Sequence, residues 1–92
     1  MPKAYVEIRT TAGSQAKVIA DLMNKRTFEK DTAIKNIDVI FGDYDVMVVI
    51  EHKDRERFYD AIGALAKTAG VSSTNSRIAM EPEFVEKAFA ES

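Results

Sequence analysis

Two aspartates flank one aromatic residue in the sequence Asp43-Tyr44-Asp45, which follows Gly42 and precedes an apolar run. Carboxylates at this spacing could hold an ammonium group, and the glycine lets the backbone turn with a positive φ angle. The alternative is that both carboxylates only stabilise a hairpin turn, because aspartate readily hydrogen-bonds its own backbone. Spacing alone favours this alternative.

Other residues give little support for catalysis or metal binding. The sequence has one histidine, His52, which is expected at the surface at a strand end, and it has no cysteine. Zinc sites need several such ligands, and disulfides and thiol nucleophiles are excluded. Glu7 and Glu51 could act as acid or base if buried, but carboxylates in structural pairs are commoner. We therefore predict no metal, no cofactor and no enzymatic activity.

The composition is that of one small folded domain. The 92 residues are 46% hydrophobic and 30% charged, and a chain of this length has a thin core if it remains a monomer. A net charge of −2 gives no reason to expect nucleic-acid binding. No apolar run is long enough to cross a membrane, and the N-terminus lacks the apolar core of a signal peptide, so the expected location is the cytoplasm.

Hydrophobic patterning predicts the order β-α-β-β-α-β. Strands are predicted over residues 3–10, 37–41, 46–50 and 73–80, with helices after the N-caps Ser14 and Asp54. The unbroken apolar run 46–50 indicates a central strand covered on both faces. This order is typical of ferredoxin-like α+β folds, with one four-stranded antiparallel sheet, the first and third strands central, and both helices on one face.

The sequence is expected to form a single domain over residues 1–92, and the ends of its two helices and its C-terminal tail need separate interpretation. Segment 24–30 stays helix-compatible, so the first helix has no defined end, whereas Gly70 resembles the C-cap of the second. The tail, 81–92, has apolar residues on one side of a short helix: Phe84, Val85, Ala88 and Phe89. Because so short a helix is marginal alone, we expect it to dock on its own domain or on a neighbouring subunit.

The two faces of the sheet are predicted to differ. The helices should cover Ala4, Val6, Ile8, Val39, Phe41, Val46, Val48, Ile50 and Ile78. The other face should carry Tyr5, Glu7, Arg9, Ile40, Met47, Val49, Glu51 and Arg77. This second face is too apolar for full solvation and too charged for a dry core. A solvated face is one interpretation, but we favour sheet-to-sheet packing of a second subunit, with Tyr5, Glu7, Arg9, Ile40, Met47 and Val49 at the interface.

The predicted topology brings three loops together at one end of the sheet. They are residues 10–14, 42–45 and 70–73. The first helix begins there, and its free backbone N–H groups suit a carboxylate, while Asp43 and Asp45 could hold an ammonium group. A small zwitterion such as an amino acid has both groups.

Several motifs resemble those of one family. Gly42-Asp-Tyr-Asp45 before an apolar strand resembles the Gly-x-Tyr-Asp signature of the Lrp/AsnC, or feast/famine, transcription regulators. Ala69-Gly-Val71 leading into Ser73-Thr-Asn-Ser-Arg-Ile78 is similar to the family's last strand, and Thr11-Ala-Gly13 stands where members usually have Pro-Gly. The resemblance covers residues 3–80 and matches the effector-binding and oligomerisation half of those regulators.

The resemblance implies a domain that forms dimers and rings of dimers and binds amino acids between dimers. The ligand residues carried over by position are Gly42, Tyr44, Asp45, Thr74 and Ser76, and Asp43 joins them as the second carboxylate that could hold an ammonium group. The chain begins at the first strand, so a stand-alone effector domain without the family's helix-turn-helix is expected, and DNA binding is not implied. Extra length around 24–32 and the tail depart from the family pattern.

Three functions remain open. The first is a non-enzymatic, amino-acid-binding regulatory module whose partners are further copies of itself and full-length regulators of the Lrp/AsnC type. The second is a pure oligomerisation or adaptor module that binds no ligand. The third is a cofactor-independent enzyme of the dimeric α+β barrel type, which shares this topology. The first is the expected function.

Overall fold

The computed structural model describes residues 2–24, 27–28, 32–79 and 82–90. Within these ranges five strands and three helices follow one another: β1 Lys3–Thr10, α1 Gln15–Asn24, β2 Thr27–Phe28, β3 Thr32–Val39, β4 Val46–Glu51, α2 Arg57–Ala66, β5 Val71–Ala79 and α3 Pro82–Ala90. Apart from the two-residue β2, this order confirms the predicted ferredoxin-like α+β fold with a C-terminal helix.

The strands form one antiparallel sheet in the order β2-β3-β4-β1-β5. β1 and β4 are central, as predicted. Val6 of β1 pairs with Val48 on one side and with Ser76 on the other. In β4 the side chains alternate between buried and partly exposed, so the isolated chain covers only one face of this apolar strand. The second face of β4 carries Met47, Val49 and Glu51, which are partly exposed.

Both α1 and α2 pack on the covered face and close one hydrophobic core. Its members are at most 3% exposed: Ala4, Val6, Ile8, Val18, Leu22, Val46, Val48, Ile50, Phe58, Ala61 and Leu65. Val18 and Leu22 of α1 are four residues apart, as are Ala61 and Leu65 of α2, and this spacing places each pair on one side of its helix. The predicted helix-covered face is therefore correct along β1 and β4.

The prediction that the helices cover Val39 and Phe41 is wrong. Val39 pairs with Val46 on the helix side, yet it is 54% exposed, because it lies at the end of β3, outside the central pair of strands. Phe41 is 98% exposed. β3 ends at Val39, so the alternation of strand side chains no longer determines where Phe41 points.

The predicted caps of α2 are also displaced. The helix begins at Arg57, and Asp54 lies in the turn before it. The Asp54 side chain accepts the backbone N–H of Glu56 at 3.1 Å, and its backbone carbonyl accepts the N–H of Arg57 at 3.1 Å. Asp54 therefore stabilises this turn instead of capping the helix. The helix ends at Ala66 with Lys67 as its C-cap, so Gly70 lies in the turn that leads to β5.

His52 is buried, which corrects the expectation of a surface residue. It is 6% exposed, and its Nδ1 accepts the backbone N–H of Asp54 at 2.8 Å. The backbone N–H of His52 donates to the carbonyl of Pro2 at 3.3 Å. His52 thus has a structural role in the turn before α2.

Gly70 brings the α2–β5 connection close to the start of α1. Its φ is +93°, and a Cβ there would lie 2.9 Å from Val18 Cγ2 and 3.0 Å from Ser14 Cβ. We expect Gly70→Ala to lower the free energy of unfolding by about 1–3 kcal/mol through backbone strain and this clash. Denaturant unfolding measures the effect.

The matched control is Gly63→Ala within α2. An added Cβ at Gly63 meets nothing within 4 Å, and alanine favours the helix, so this variant should be as stable as the wild type or more stable. Equal losses of stability in both variants would contradict the account of Gly70.

Candidate functional site at the β3–β4 loop

The Gly42–Asp45 loop between β3 and β4 is hydrogen-bonded to the end of β1. The N–H of Asp45 donates to the carbonyl of Ile8 at 2.9 Å, and the carbonyl of Asp45 accepts the N–H of Ile40 at 2.9 Å. Gly42 has a φ of 136°, which confirms the expected positive φ and makes a side chain at this position strained.

The Asp45 side chain ties the loop to β1 rather than facing solvent freely. Its Oδ2 accepts both the backbone N–H of Thr10 at 2.8 Å and the Thr10 hydroxyl at 3.0 Å. These hydrogen bonds, first the one from the Thr10 backbone and then the one from its hydroxyl, lower the pKa of Asp45 below its ordinary value of 3.8. Partial desolvation raises the pKa and the positive charge of Arg9 lowers it, and the net shift is downward. Asp45 is therefore ionised at neutral pH and stabilises the turn.

Arg9 holds the other half of the loop. Its Nε donates to the carbonyl of Asp43 at 2.7 Å, and its guanidinium carbon lies 5.2 Å from the centre of the Tyr44 ring. A guanidinium in this position makes a cation–π contact with the ring. The residue Asp43 is exposed. Arg9 and Thr10 thus contact the candidate site, whereas the sequence predicts Arg9 only at the interface and assigns Thr10 no ligand role.

The beginnings of α1 and β5 meet at the same end of the sheet, as the predicted topology requires. Gln15 Nε2 donates to the Asp45 carbonyl at 3.3 Å, and the N–H of Thr11 donates to the Gly70 carbonyl at 2.8 Å. The Ser72 hydroxyl donates to the Arg9 carbonyl at 3.1 Å. Three loops that are distant in sequence are therefore hydrogen-bonded to one another or to β1.

Ser14 occupies the position predicted for the N-cap of α1. It directly precedes the helix, and its carbonyl accepts the N–H of Val18 at 3.0 Å. Its hydroxyl lies 2.7 Å from that of Thr11, where either oxygen can be the donor. The first turn of the helix therefore starts from an ordered loop beside the candidate site.

The two polar residues carried over on β5 are less closely associated with the loop. Thr74 pairs with Ile8, at the level where β4 begins, whereas Ser76 pairs with Val6, two residues further from the loop. Both positions are on the helix side of the sheet. The geometry groups the loop with Arg9 and Thr10 more closely than with Ser76.

The sheet face opposite the helices borders this loop. We refer to it as the open face, and it carries Lys3, Tyr5, Glu7, Arg9, Met47, Val49, Glu51, Asn75 and Arg77. Arg77 Nη1 donates to Glu7 Oε1 at 2.7 Å, and Lys3 Nζ lies 5.5 Å from the Tyr5 ring centre. Met47 and Val49 remain partly exposed between these polar groups. The strand residues predicted for a dimer interface thus share one face, and Ile40 follows β3 at its border.

The hydrogen bonds of Asp45 make the loop sensitive to acid. Because its folded-state pKa is lowered, Asp45 contributes stability above the ordinary pKa, and the contribution is lost as the pH falls through the lowered value. We expect Asp45→Asn to melt at a lower temperature than the wild type at about pH 7 and the gap to close towards about pH 2.

Thermal melts across this pH range test the expectation. Asp43→Asn is the control, because Asp43 is held through its carbonyl oxygen rather than its carboxylate. A gap between wild type and Asp45→Asn that stays constant with pH would contradict the role assigned to the Asp45 carboxylate.

A separate groove of about 210 Å³ lies between α1 and β3. Its lining comprises Ile19, Leu22, Met23, Ile34, Lys35, Asn36, Ile37 and Val39. It contains none of the residues predicted to bind a ligand, and its lining offers Lys35 but no carboxylate for an ammonium group. We therefore place the candidate site at the loop on chemical grounds.

Some classes of site are absent from the part of the chain that the structure describes. No group of three or more histidine, aspartate and glutamate side chains is arranged there to hold a metal ion. Among the described residues, no helix has the length and apolar character needed to span a membrane.

Solved structures match this chain, whereas neither protein-family models nor curated proteins do. The crystal structure of FFRP-DM1 matches with a TM-score of 0.74 and 25% identity, over 87% of this chain and 100% of that one. TTHA0845 from Thermus thermophilus matches with a TM-score of 0.74 and 20% identity, over 88% and 95%. MtbAldR matches with a TM-score of 0.68 and 9% identity, over 87% of this chain but 52% of its own. These neighbours support the similarity to Lrp/AsnC-type regulator domains at the level of the fold.

Proposed function

We propose that this protein is a non-enzymatic regulatory module that self-associates through the open face and binds a small zwitterion, such as an amino acid, at the Gly42–Asp45 loop. The observation that carries the proposal is the fixing of this loop by Arg9 and Thr10 at the border of the open face. A loop held in one conformation before binding loses little entropy when it takes a ligand.

Each group of the loop has a role that follows from its contacts. Asp45 positions the loop, because its Oδ2 already accepts two hydrogen bonds from Thr10. The exposed Asp43 supplies a carboxylate for the ammonium group of the ligand. Backbone N–H groups at the start of α1 suit the carboxylate of the ligand, and the Tyr44 ring contacts its side chain. A zwitterion satisfies both charged ends of this arrangement.

Self-association would enclose a ligand that a single chain leaves open to solvent at this site. Asp43 is exposed, so a ligand on a single chain is enclosed on one side only. A second copy beside the loop encloses the ligand and removes water, which strengthens its charged hydrogen bonds. Binding is then coupled to assembly, since a ligand that contacts two copies favours the assembled state. Full-length regulators with the same domain are further partners under this proposal.

A thermal-shift panel of amino acids, followed by calorimetry of the best ligand, tests the proposal. Saturation at about 100 times the dissociation constant should raise the free energy of unfolding by about 2.7 kcal/mol if only the folded state binds. Gly42→Val is the matched variant, because its strained backbone should distort the loop and remove the response. No binding of any amino acid below about millimolar concentration would overturn the ligand assignment.

A pure oligomerisation module is the second candidate function. The two hydrogen bonds from Thr10 give the Asp45 carboxylate a complete structural role without any ligand, and they favour this candidate. The two functions give different results in the same panel. An adaptor self-associates but shows no shift with any amino acid, whereas a regulatory binding module shows both.

A further inference from the structure

Several polar groups around the β3–β4 loop already have partners within the chain. Thr10 donates its backbone N–H and its hydroxyl to the Asp45 carboxylate, and Gln15 donates to the Asp45 carbonyl. The hydroxyls of Thr11 and Ser14 lie 2.7 Å apart and share a hydrogen bond. A group that is already hydrogen-bonded gives up that bond before it binds a ligand, so the groups without partners are the better candidates for recognition.

Two charged groups beside this loop have no partner within the part of the chain that the structure describes. Arg9 uses its Nε to donate to the Asp43 carbonyl at 2.7 Å, but its terminal nitrogens make no hydrogen bond or ion pair there. The Asp43 carboxylate makes none either. Both residues are exposed. One cation and one anion therefore lie next to each other, and each remains available to a ligand.

The position of these two charges matches the layout of an α-amino acid. The hydrogen bond from Nε to the carbonyl joins Arg9 directly to Asp43, yet the guanidinium and the carboxylate form no ion pair with each other. In an α-amino acid the ammonium and carboxylate groups are attached to the same carbon, so the protein groups that hold them have to be neighbours. A carboxylate accepts from an ammonium group, and the planar guanidinium can donate to both oxygens of a carboxylate.

Arg9 is held in position before any ligand binds. Its Nε hydrogen bond is fixed on the Asp43 carbonyl, and its guanidinium carbon lies 5.2 Å from the centre of the Tyr44 ring. It also interacts electrostatically with the Asp45 carboxylate. A guanidinium that is bonded at Nε and stacked on an aromatic ring loses little conformational freedom when its terminal nitrogens bind an anion.

The same loop offers aromatic surface for the side chain of a ligand. Phe41 is 98% exposed and Tyr44 is partly exposed. The charged residues in the described segments 9–14, 40–45 and 70–73 are Arg9, Asp43 and Asp45, and the Asp45 carboxylate already accepts two hydrogen bonds. A ligand side chain with its own charge therefore finds no free partner in these segments, whereas an apolar side chain covers exposed ring surface.

We propose that Arg9 and Asp43 together bind the carboxylate and the ammonium group of an α-amino acid with an apolar side chain, and that Arg9 is the charged donor to the carboxylate. This assignment rests on the proposed function and specifies the ligand class and a further binding residue. The backbone N–H groups at the start of α1 are uncharged donors at the same end of the sheet, and the experiment distinguishes their contribution from that of Arg9.

Three small probes separate the two charged contacts. Phenylalanine carries both charged groups, hydrocinnamate lacks the ammonium group, and phenethylamine lacks the carboxylate. Their dissociation constants for the full chain are measured by NMR titration. Arg9→Gln should weaken binding of phenylalanine and hydrocinnamate by about tenfold or more and should not weaken binding of phenethylamine. Asp43→Asn should weaken phenylalanine and phenethylamine but not hydrocinnamate.

The pattern across the probes separates contact with the ligand from damage to the loop, because a distorted loop weakens all three probes together. Arg77→Gln is the matched control, since Arg77 also lies on the open face but pairs with Glu7 at 2.7 Å. It should leave all three dissociation constants unchanged. Arg9→Lys keeps the charge, so it should bind phenylalanine more tightly than Arg9→Gln does, and it takes the place of that variant if Arg9→Gln does not fold.

Equal weakening of all three probes by Arg9→Gln would overturn the role of Arg9, and so would unchanged binding of phenylalanine, which would assign the carboxylate to the start of α1. Tighter binding of a charged amino acid than of every apolar one would overturn the ligand class. Each of these results leaves the proposed function standing. If the wild type binds no amino acid at all, both the proposed function and this assignment are wrong.

Discussion

Replacing Val49 with aspartate is expected to dissociate the assembled protein into monomers or to unfold it. Val49 lies at the middle of β4 on the open face, opposite Tyr5 and Asn36 in the two neighbouring strands. In the proposed assembly a second copy buries Val49, so the substitution would lose this apolar burial and place an unpaired charge in the interface. We expect a cost of about 3 kcal/mol or more, which corresponds to roughly a hundredfold weaker self-association.

Light scattering over a concentration series measures this effect. Tyr59→Asp is the matched control, because it also introduces an aspartate but at an exposed position of α2, away from the open face. The control should assemble like the wild type. Equal assembly of Val49→Asp and the wild type would show that the open face is not the interface.

Asp45→Ala is expected to weaken amino-acid binding by roughly a hundredfold and to lower the melting temperature as well. The substitution removes the acceptor of both Thr10 hydrogen bonds, so the loop loses its connection to the end of β1. Asp43→Ala should weaken binding but leave the melting temperature of the free protein nearly unchanged, because the carbonyl of Asp43 still accepts from Arg9.

Calorimetry and melting of the three proteins separate the two roles. The pair of aspartates is a matched set, since the variants differ only in which carboxylate is removed. If Asp45→Ala binds the amino acid as tightly as the wild type, the loop is not the site, and the adaptor function is the better account of the molecule.

Sequence patterns predicted the element order because each central element has a strong local signal. The apolar run of β4 and the alternation in β1 determine the central strands, and the glycine at position 42 marks the turn between β3 and β4. The start of α2 was misplaced, since Asp54 can cap either a helix or the turn before it. Phe41 was placed in the core, because no local signal shows that β3 ends at Val39.

The candidate site was predictable only in part. Topology brings the loops together, and this follows from the order of the elements. Which residue donates hydrogen bonds to the Asp45 carboxylate depends on how the loop is aligned with β1, and this alignment cannot be inferred from the sequence. The only signal for Arg9 and Thr10 was their position at the end of β1, where the topology brings the loop alongside.

The most direct test of the proposed function is the light-scattering mass of the unmodified protein at micromolar concentration, titrated with the amino acid that most raises its melting temperature. Our account predicts a mass of at least two chains before titration and a change in mass or in its concentration dependence as the ligand saturates. The mass of a single chain that no amino acid alters would contradict it.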